Sequence, residues 1–269
     1  MNTDITRRRF AAIAGGAFAS LTFGSACSGV GHLFGDADAS QAPGGKDGRL
    51  TARPHGNANP SAEGKRALGL DRARDAILQM PARRGDSRTA PLPLLVLLHG
   101  AGGSGERVLQ RFGAVAEDAG VAVLAPDSRD STWDGIRAGF GRDVTFLDRA
   151  LQRVFETVSV DPARIAVGGF SDGATYALSL GLINGDLFRR VVAFSPGFVV
   201  DGEAHGKPRI FISHGTADPI LPIDHCSRVI VPGLRRIGYD VTYREFEGRH
   251  EVPAAIAREG MEWVAGETS

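Results

Sequence analysis

The chain has 269 residues, of which 42% are hydrophobic and 23% are charged, and its 31 basic residues balance its 31 acidic ones. These values are ordinary for one α/β domain of the larger sort. The charges balance, and basic runs interleaved with aromatic residues are lacking. Both observations argue against a protein that binds nucleic acid through a positively charged surface.

The first 26 residues predict an export signal. Three arginines at 7–9 precede an apolar stretch rich in alanine and glycine at 11–26, which is the order of a charged region and a short apolar core. The paired arginines resemble a twin-arginine (Tat) signal. A membrane anchor is the alternative, but about 16 apolar residues with several glycines are short for a span. We therefore expect a periplasmic or extracellular protein.

The two cysteines leave two questions open. Cys27 follows small residues, as in a lipoprotein cleavage site, although Gly24 stands where an aliphatic residue is usual. A lipid on Cys27 is the only membrane contact that we expect of the mature chain. Cys226 is then a free, buried thiol, and a Cys27–Cys226 disulfide is the alternative. Residues 27–48, rich in Gly, Ala, Asp and Ser, predict a flexible linker.

Residues 49–269 have the pattern of one catalytic domain. Short segments at 49–53 and 74–80 predict antiparallel edge strands. Apolar runs and helical spacing then alternate along the chain. The runs predict strands at 91–99, 121–126, 164–170, 191–194, 209–213 and 240–246, and the spacing predicts helices at 106–119, 141–158, 223–237 and 252–265. This alternation predicts an α/β fold with a mostly parallel sheet and helices on both faces.

The segment Gly169-Phe170-Ser171-Asp172-Gly173 is a G-x-S-x-G pattern that follows a predicted strand and precedes a helix. Such a sharp turn lifts a serine hydroxyl to the edge of a sheet. Asp218 and His250 follow later strands, which places all three residues in loops on one edge of the sheet. The order Ser171, Asp218, His250 predicts a nucleophile, an orienting carboxylate and a general base.

Two backbone N–H groups are expected to stabilise the negative charge that develops on the substrate oxygen. One belongs to Asp172, directly after the nucleophile, and the other to Ala101, in the glycine-rich segment 99–105. The side chain of Asp172 has a second interpretation as a cap of the following helix. Trp133, in a loop after a strand on the same edge, is either one wall of a substrate pocket or a packing residue.

Other polar residues have structural interpretations. Asp224 is the alternative to Asp218, but we expect it inside the following helix. His99 and His214 are expected to bond loop backbone near the strand ends. Metal-binding motifs are absent from the sequence, and the glycine-rich segment lacks the Lys-Ser/Thr of a P-loop. We therefore predict neither a metal site nor a cofactor.

The motifs at 97–103, 169–173, 214–218 and 248–250 resemble those of α/β-hydrolase serine esterases, namely the polyhydroxybutyrate depolymerase/feruloyl esterase-like and phospholipase/carboxylesterase families. The resemblance covers roughly residues 66–265. It implies a triad of Ser171, Asp218 and His250 and a small ester as substrate. One residue departs from the pattern, because many relatives carry Gln, Ala or Met where this chain has Asp172.

The sequence thus predicts an exported serine hydrolase that cleaves carboxylic esters through an acyl-enzyme. A triad alone does not separate esters from amides or thioesters, so a peptidase or thioesterase is the alternative among enzymes. A non-catalytic binding protein with the same fold is the alternative outside them.

Overall fold

The computed structural model describes residues 8–10, 47–54, 63–82, 90–137 and 139–266. The predicted export signal, apart from residues 8–10, and the predicted linker up to residue 46 lie outside this part of the chain. Cys27 lies outside it as well. Among the described residues, we find no helical segment with the length and hydrophobicity that a membrane span requires.

The strands and helices follow the predicted alternation. The strands are β1 (Arg8–Phe10), β2 (Gly64–Ala67), β3 (Ala76–Met80), β4 (Leu92–Leu98), β5 (Ala122–Pro126), β6 (Val160–Phe170), β7 (Arg190–Phe194), β8 (Gly202–Ala204), β9 (Arg209–Gly215) and β10 (Val241–Phe246). The helices are α1 (Gly105–Asp118), α2 (Asp134–Arg137), α3 (Arg142–Thr157), α4 (Asp172–Ile183), α5 (Ser227–Arg236) and α6 (Ala254–Ala265).

Eight strands form one sheet in the order β10-β9-β7-β6-β4-β5-β3-β2. Pairing is parallel from β10 to β5, whereas β3 is antiparallel to both of its neighbours. β1 and β8 form a separate antiparallel pair. The sheet is therefore mostly parallel, as expected, and the carboxyl ends of its parallel strands share one edge.

The core has two layers because the side chains of each strand alternate between the faces of the sheet. In β4, Leu94, Val96 and Leu98 pack into the layer that contains α3 and α4. Leu95 and Leu97 pack into the opposite layer with α1 and α6. This arrangement explains why β4 is apolar at almost every position: both of its faces are covered.

Two expectations about the antiparallel edge were wrong. The strand predicted from 74 begins at Ala76 and lies inside the sheet, because β2, which has no apolar pattern, takes the edge position. Residues 49–53 do not form a strand. Their backbone is held by side chains: Asp148 accepts the N–H groups of Thr51 and Ala52, each at 2.7 Å, and the amide oxygen of Asn184 accepts that of Leu50 at 2.9 Å.

Candidate active site

Ser171 occupies a sharp turn between β6 and α4. Its backbone angles are φ 58° and ψ −122°, a conformation that costs energy for any residue with a side chain and persists where the surroundings impose it. The Ser171 N–H donates to the carbonyl of Phe194 at 3.0 Å. A Cβ on Gly169 would lie 2.5 Å from the carbonyl oxygen of Gly173, so the turn can close only with glycines on both sides of the serine.

The fold brings the three predicted triad residues into one hydrogen-bonded line. The Ser171 hydroxyl oxygen lies 2.9 Å from His250 Nε2, and His250 Nδ1 lies 2.6 Å from Asp218 Oδ2. Since an ionised carboxylate only accepts, the imidazole proton is on Nδ1 and Nε2 is free to accept from the serine. In the sequence, His250 is 32 residues from Asp218 and 79 residues from Ser171. The loops that carry these three residues all lie on the predicted edge of the sheet.

The loop after β9 holds the Asp218 carboxylate in a fixed orientation. Its Oδ1 accepts the N–H groups of Ile220 and Leu221, each at 2.9 Å, while Oδ2 faces His250. Burial works to raise the pKa of Asp218, but the hydrogen bonds from His250 and from these backbone groups outweigh it and hold the pKa below its ordinary value. The side chain therefore carries a charge at neutral pH, as an orienting carboxylate requires.

A second histidine lies beside the same carboxylate. His214 is fully buried, and its Nε2 lies 2.8 Å from the carbonyl oxygen of Leu221 and 3.3 Å from Asp218 Oδ2. Its Nδ1 lies 2.7 Å from the Ser227 hydroxyl. Because the carbonyl can only accept, the proton is on Nε2, and burial lowers the pKa of His214 so that the ring is neutral. The predicted structural position of His214 agrees with these contacts.

The two backbone groups expected to bind the substrate oxygen flank the nucleophile. Ala101 lies between Gly100, whose ideal Cβ position is 3.4 Å from Ser171 Cβ, and Gly102. Asp172 is the first residue of α4. Among the described residues, neither the Ala101 nor the Asp172 N–H donates to a protein acceptor. Both N–H groups are therefore unused by protein acceptors in this part of the chain, as the predicted role requires.

The side chain of Asp172 does not cap α4. Its Oδ2 accepts a 2.6 Å hydrogen bond from the hydroxyl of Thr132, which is buried in the loop after β5. Sequence reasoning missed Thr132, because an isolated threonine 40 residues before its partner carries no local signal. This contact joins the turn that carries the nucleophile, between β6 and α4, to the loop between β5 and α2.

Trp133 is a packing residue rather than the wall of an open pocket. Its side chain is fully buried, its Nε1–H donates to the carbonyl of His99 at 2.8 Å, and its ring stacks on Tyr176 with centroids 5.3 Å apart. A ring without exposed surface cannot line a pocket that opens to solvent. Of the two interpretations of Trp133, these contacts favour the packing one.

The remaining candidates have ordinary surroundings. His99 accepts the Ser128 N–H at Nε2 and bonds the Gly100 carbonyl through Nδ1, and burial lowers its pKa. Asp224 lies before α5 rather than inside it, and its exposed carboxylate pairs with Arg228 at 2.7 Å. The carboxylate that bonds to His250 is that of Asp218. Over the described ranges, no group of three or more potential metal ligands is present.

Two comparisons with known sequences both match proteins that are named as esterases. The phospholipase/carboxylesterase family model matches residues 134–262. Feruloyl esterase C of Emericella nidulans is 28% identical over 159 residues, which are 56% of this chain and 57% of that protein. Feruloyl esterase D of Neurospora crassa is 30% identical over 146 residues, 49% of this chain and 50% of that protein. The chain thus spans about half the length of the curated relatives that it matches.

Solved structures share the architecture over most of the chain. The crystal structure of esterase PE8 aligns with a TM-score of 0.55 and 24% identity over 70% of this chain and 98% of that one. A truncated carbohydrate esterase from gut microbiota aligns with a TM-score of 0.62 and 15% identity over 79% of this chain and 99% of that one. At these identities the likeness concerns the fold.

Proposed function

The chain has the α/β-hydrolase fold and resembles the phospholipase/carboxylesterase family, and we propose that it is a serine hydrolase that cleaves carboxylic esters through an acyl-enzyme. The observation that carries the proposal is the continuous hydrogen-bonded line from Ser171 through His250 to Asp218. The names of the two fungal relatives, both feruloyl esterases, support an ester as the substrate.

In the first step, the Ser171 hydroxyl oxygen bonds to the ester carbonyl carbon and its proton passes to His250 Nε2. The carbonyl electron pair moves onto oxygen, which the N–H groups of Ala101 and Asp172 bind. Collapse of this intermediate breaks the bond to the alcohol oxygen, which leaves with the proton from His250. Water then repeats the sequence on the acyl-enzyme and releases the acid.

Asp218 acts on this sequence through the histidine. While the imidazole is protonated, the carboxylate 2.6 Å from Nδ1 stabilises the positive charge. The hydrogen bonds from the Ile220 and Leu221 N–H groups prevent the carboxylate from rotating away. The imidazole therefore keeps the tautomer that can accept the serine proton.

The test compares hydrolysis of p-nitrophenyl acetate, butyrate and palmitate by the wild-type chain and by Ser171→Ala. We expect the wild type to release nitrophenol and the variant to lose at least roughly 10³-fold in turnover. Ser159→Ala is the matched control, because Ser159 directly precedes β6 at the end of the strand opposite Ser171. Full esterase activity in Ser171→Ala would refute the assignment of the nucleophile.

The same preparations distinguish the alternative functions. Hydrolysis of a p-nitroanilide or of an acyl-thiol ester, but of none of the three esters, would indicate a peptidase or a thioesterase. Methyl ferulate extends the ester series toward the substrate named in the two fungal relatives. Failure to cleave any of these compounds would favour a binding protein.

We also propose that residues 1–26 direct export and that a lipid on Cys27 is the one route by which the mature chain contacts a membrane. Replacing the arginines at 7–9 with lysine should keep the protein in the cytoplasm, as seen by fractionation. Cys27→Ser should release the exported protein from membranes. If the Cys27→Ser protein still sediments with membranes after signal removal, lipid anchoring is the wrong explanation.

A further inference from the structure

We propose that the three residues Ser131, Thr132 and Trp133 form a brace that holds the two oxyanion donors at a fixed separation, with Thr132 as a positioning residue that acts through Asp172. The inference rests on the proposed function, because it assigns a role within the same site. The segment lies in the loop between β5 and α2, and each of its residues makes one hydrogen bond to the parts of the chain that carry the donors.

Two of these bonds hold the loop that carries Ala101. The carbonyl of Ser131 accepts the Gly102 N–H at 2.7 Å, and Trp133 Nε1–H donates to the carbonyl of His99 at 2.8 Å. These contacts bind the backbone on both sides of Ala101. The Ala101 N–H itself remains free, so the brace orients this donor without using it.

The third bond holds the turn that carries the nucleophile. Thr132 Oγ1 donates to Asp172 Oδ2 at 2.6 Å, a short bond of the kind formed with a charged acceptor. The Thr132 side chain is buried, whereas Asp172 is half-buried. Because the backbone N–H of Asp172 is the second donor, a bond that fixes the Asp172 side chain also restrains the direction of this N–H.

The brace is itself anchored to the protein core. Asp134, the next residue, has its N–H bonded to the buried carboxylate of Asp143 at 2.7 Å, and its own carboxylate accepts the Tyr176 hydroxyl at 3.0 Å. Tyr176 belongs to α4, and its ring stacks on Trp133. A displacement of either donor would therefore strain the hydrogen bonds between this segment and the part of the chain that carries the other donor.

The geometry explains what an acidic residue gains at position 172. An oxyanion donor is effective when it lies about 2.7–3.1 Å from the developing charge, and a shift of about 1 Å can cost about 10²-fold in rate. An alanine or a methionine at this position could not accept the Thr132 hydroxyl bond. The acidic side chain thus provides a link between the two halves of the site that those residues cannot form.

The experiment uses Thr132→Val, which keeps the shape of the side chain and removes its hydroxyl. We expect kcat on p-nitrophenyl butyrate to fall roughly 10- to 100-fold while KM changes less than about twofold, because a displaced oxyanion donor weakens binding of the transition state and not of the ester. The melting temperature reports separately on any general loss of structure.

A second readout isolates the oxyanion. An alkyl trifluoromethyl ketone binds when Ser171 Oγ bonds to its carbonyl carbon, the serine proton passes to His250 and the carbonyl electrons move onto oxygen. This oxygen occupies the place of the substrate oxyanion. The inhibition constant of Thr132→Val should therefore rise by about the factor by which its kcat/KM falls.

Matched variants test the link between the two side chains. Thr132→Ser keeps the hydroxyl and should stay within about threefold of the wild type. Asp172→Ala should lose as much as Thr132→Val, and the double variant no more than either, because both changes break one bond. Thr157→Val is the control, since its hydroxyl donates to the Arg153 carbonyl within α3, away from the site.

The outcomes separate this inference from the proposed function. If the wild type cleaves no ester, or if Ser171→Ala keeps full activity, the proposed function fails and the brace with it. If activity depends on Ser171 but Thr132→Val leaves kcat or the ketone affinity unchanged, the brace alone is refuted. Additive losses in the double variant would refute it as well.

Discussion

Replacing Asp218 with asparagine should stop the histidine from acting as a base, for a reason that the local hydrogen bonds dictate. Two backbone N–H groups, those of Ile220 and Leu221, bind Oδ1. In the variant they require the amide oxygen at that position. The amide NH₂ group then replaces Oδ2, which faces His250 Nδ1 at 2.6 Å and His214 Nε2 at 3.3 Å.

An NH₂ group can bond to His250 only if Nδ1 accepts, which moves the imidazole proton to Nε2. Nε2 faces the Ser171 hydroxyl and can no longer take its proton. The flipped amide would instead oppose two backbone donors, and each unsatisfied group costs about 1–3 kcal/mol. We therefore expect kcat to fall by about 10³–10⁴-fold, equivalent to about 4–5 kcal/mol in activation free energy.

The assay is turnover of p-nitrophenyl butyrate, with thermal melting to show that the variant is folded. Asp224→Asn is the matched control: its carboxylate is exposed and pairs with Arg228 at 2.7 Å, and surface pairs contribute about 0–1 kcal/mol. Its kcat should equal that of the wild type. If Asp218→Asn stays within tenfold of the wild type, the role given to Asp218 is wrong.

Three further predictions concern buried groups. Burial raises the pKa of the Cys226 thiol to about 11, so iodoacetamide at pH 8 should label it in urea but barely in the native protein; rapid native labelling would contradict its burial. Burial also raises the pKa of Asp143 to about 6 from 3.8, so its stabilising contribution is lost as pH rises from 4 to above 6. Asp143→Asn should therefore reduce the fall in unfolding free energy between pH 5 and pH 7, and an unchanged fall, measured by urea unfolding, would exclude this group as its cause. In Gly173→Ala the new Cβ would lie 2.6 Å from the His99 carbonyl oxygen, so we expect about 1–3 kcal/mol of destabilisation. A melting temperature equal to that of the wild type would show that the turn after Ser171 can accommodate this side chain.

The amino-acid sequence alone was enough to predict the alternation of strands and helices, the G-x-S-x-G turn and the positions of Asp218 and His250 in loops after strands. Each of these depends on neighbours within a few positions: apolar runs for strands that are covered on both faces, helical spacing for amphipathic helices, and glycines where the turn is tight. The common edge then follows from the rule that parallel strands end together. The positions of Asp218 and His250 could therefore be predicted without knowing which residues contact each other.

Contacts between side chains that are far apart in the sequence could be seen only in the folded protein. Residues 49–53 have an extended pattern, but the carboxylate of Asp148, almost a hundred residues away, binds their backbone in place of a neighbouring strand. Trp133 follows a strand on the active edge, as a pocket residue would, yet the rings of His99 and Tyr176 enclose it. The bond from Thr132 to Asp172 likewise joins residues 40 positions apart. Such contacts depend on the packing of whole elements, which leaves no periodic trace in the chain.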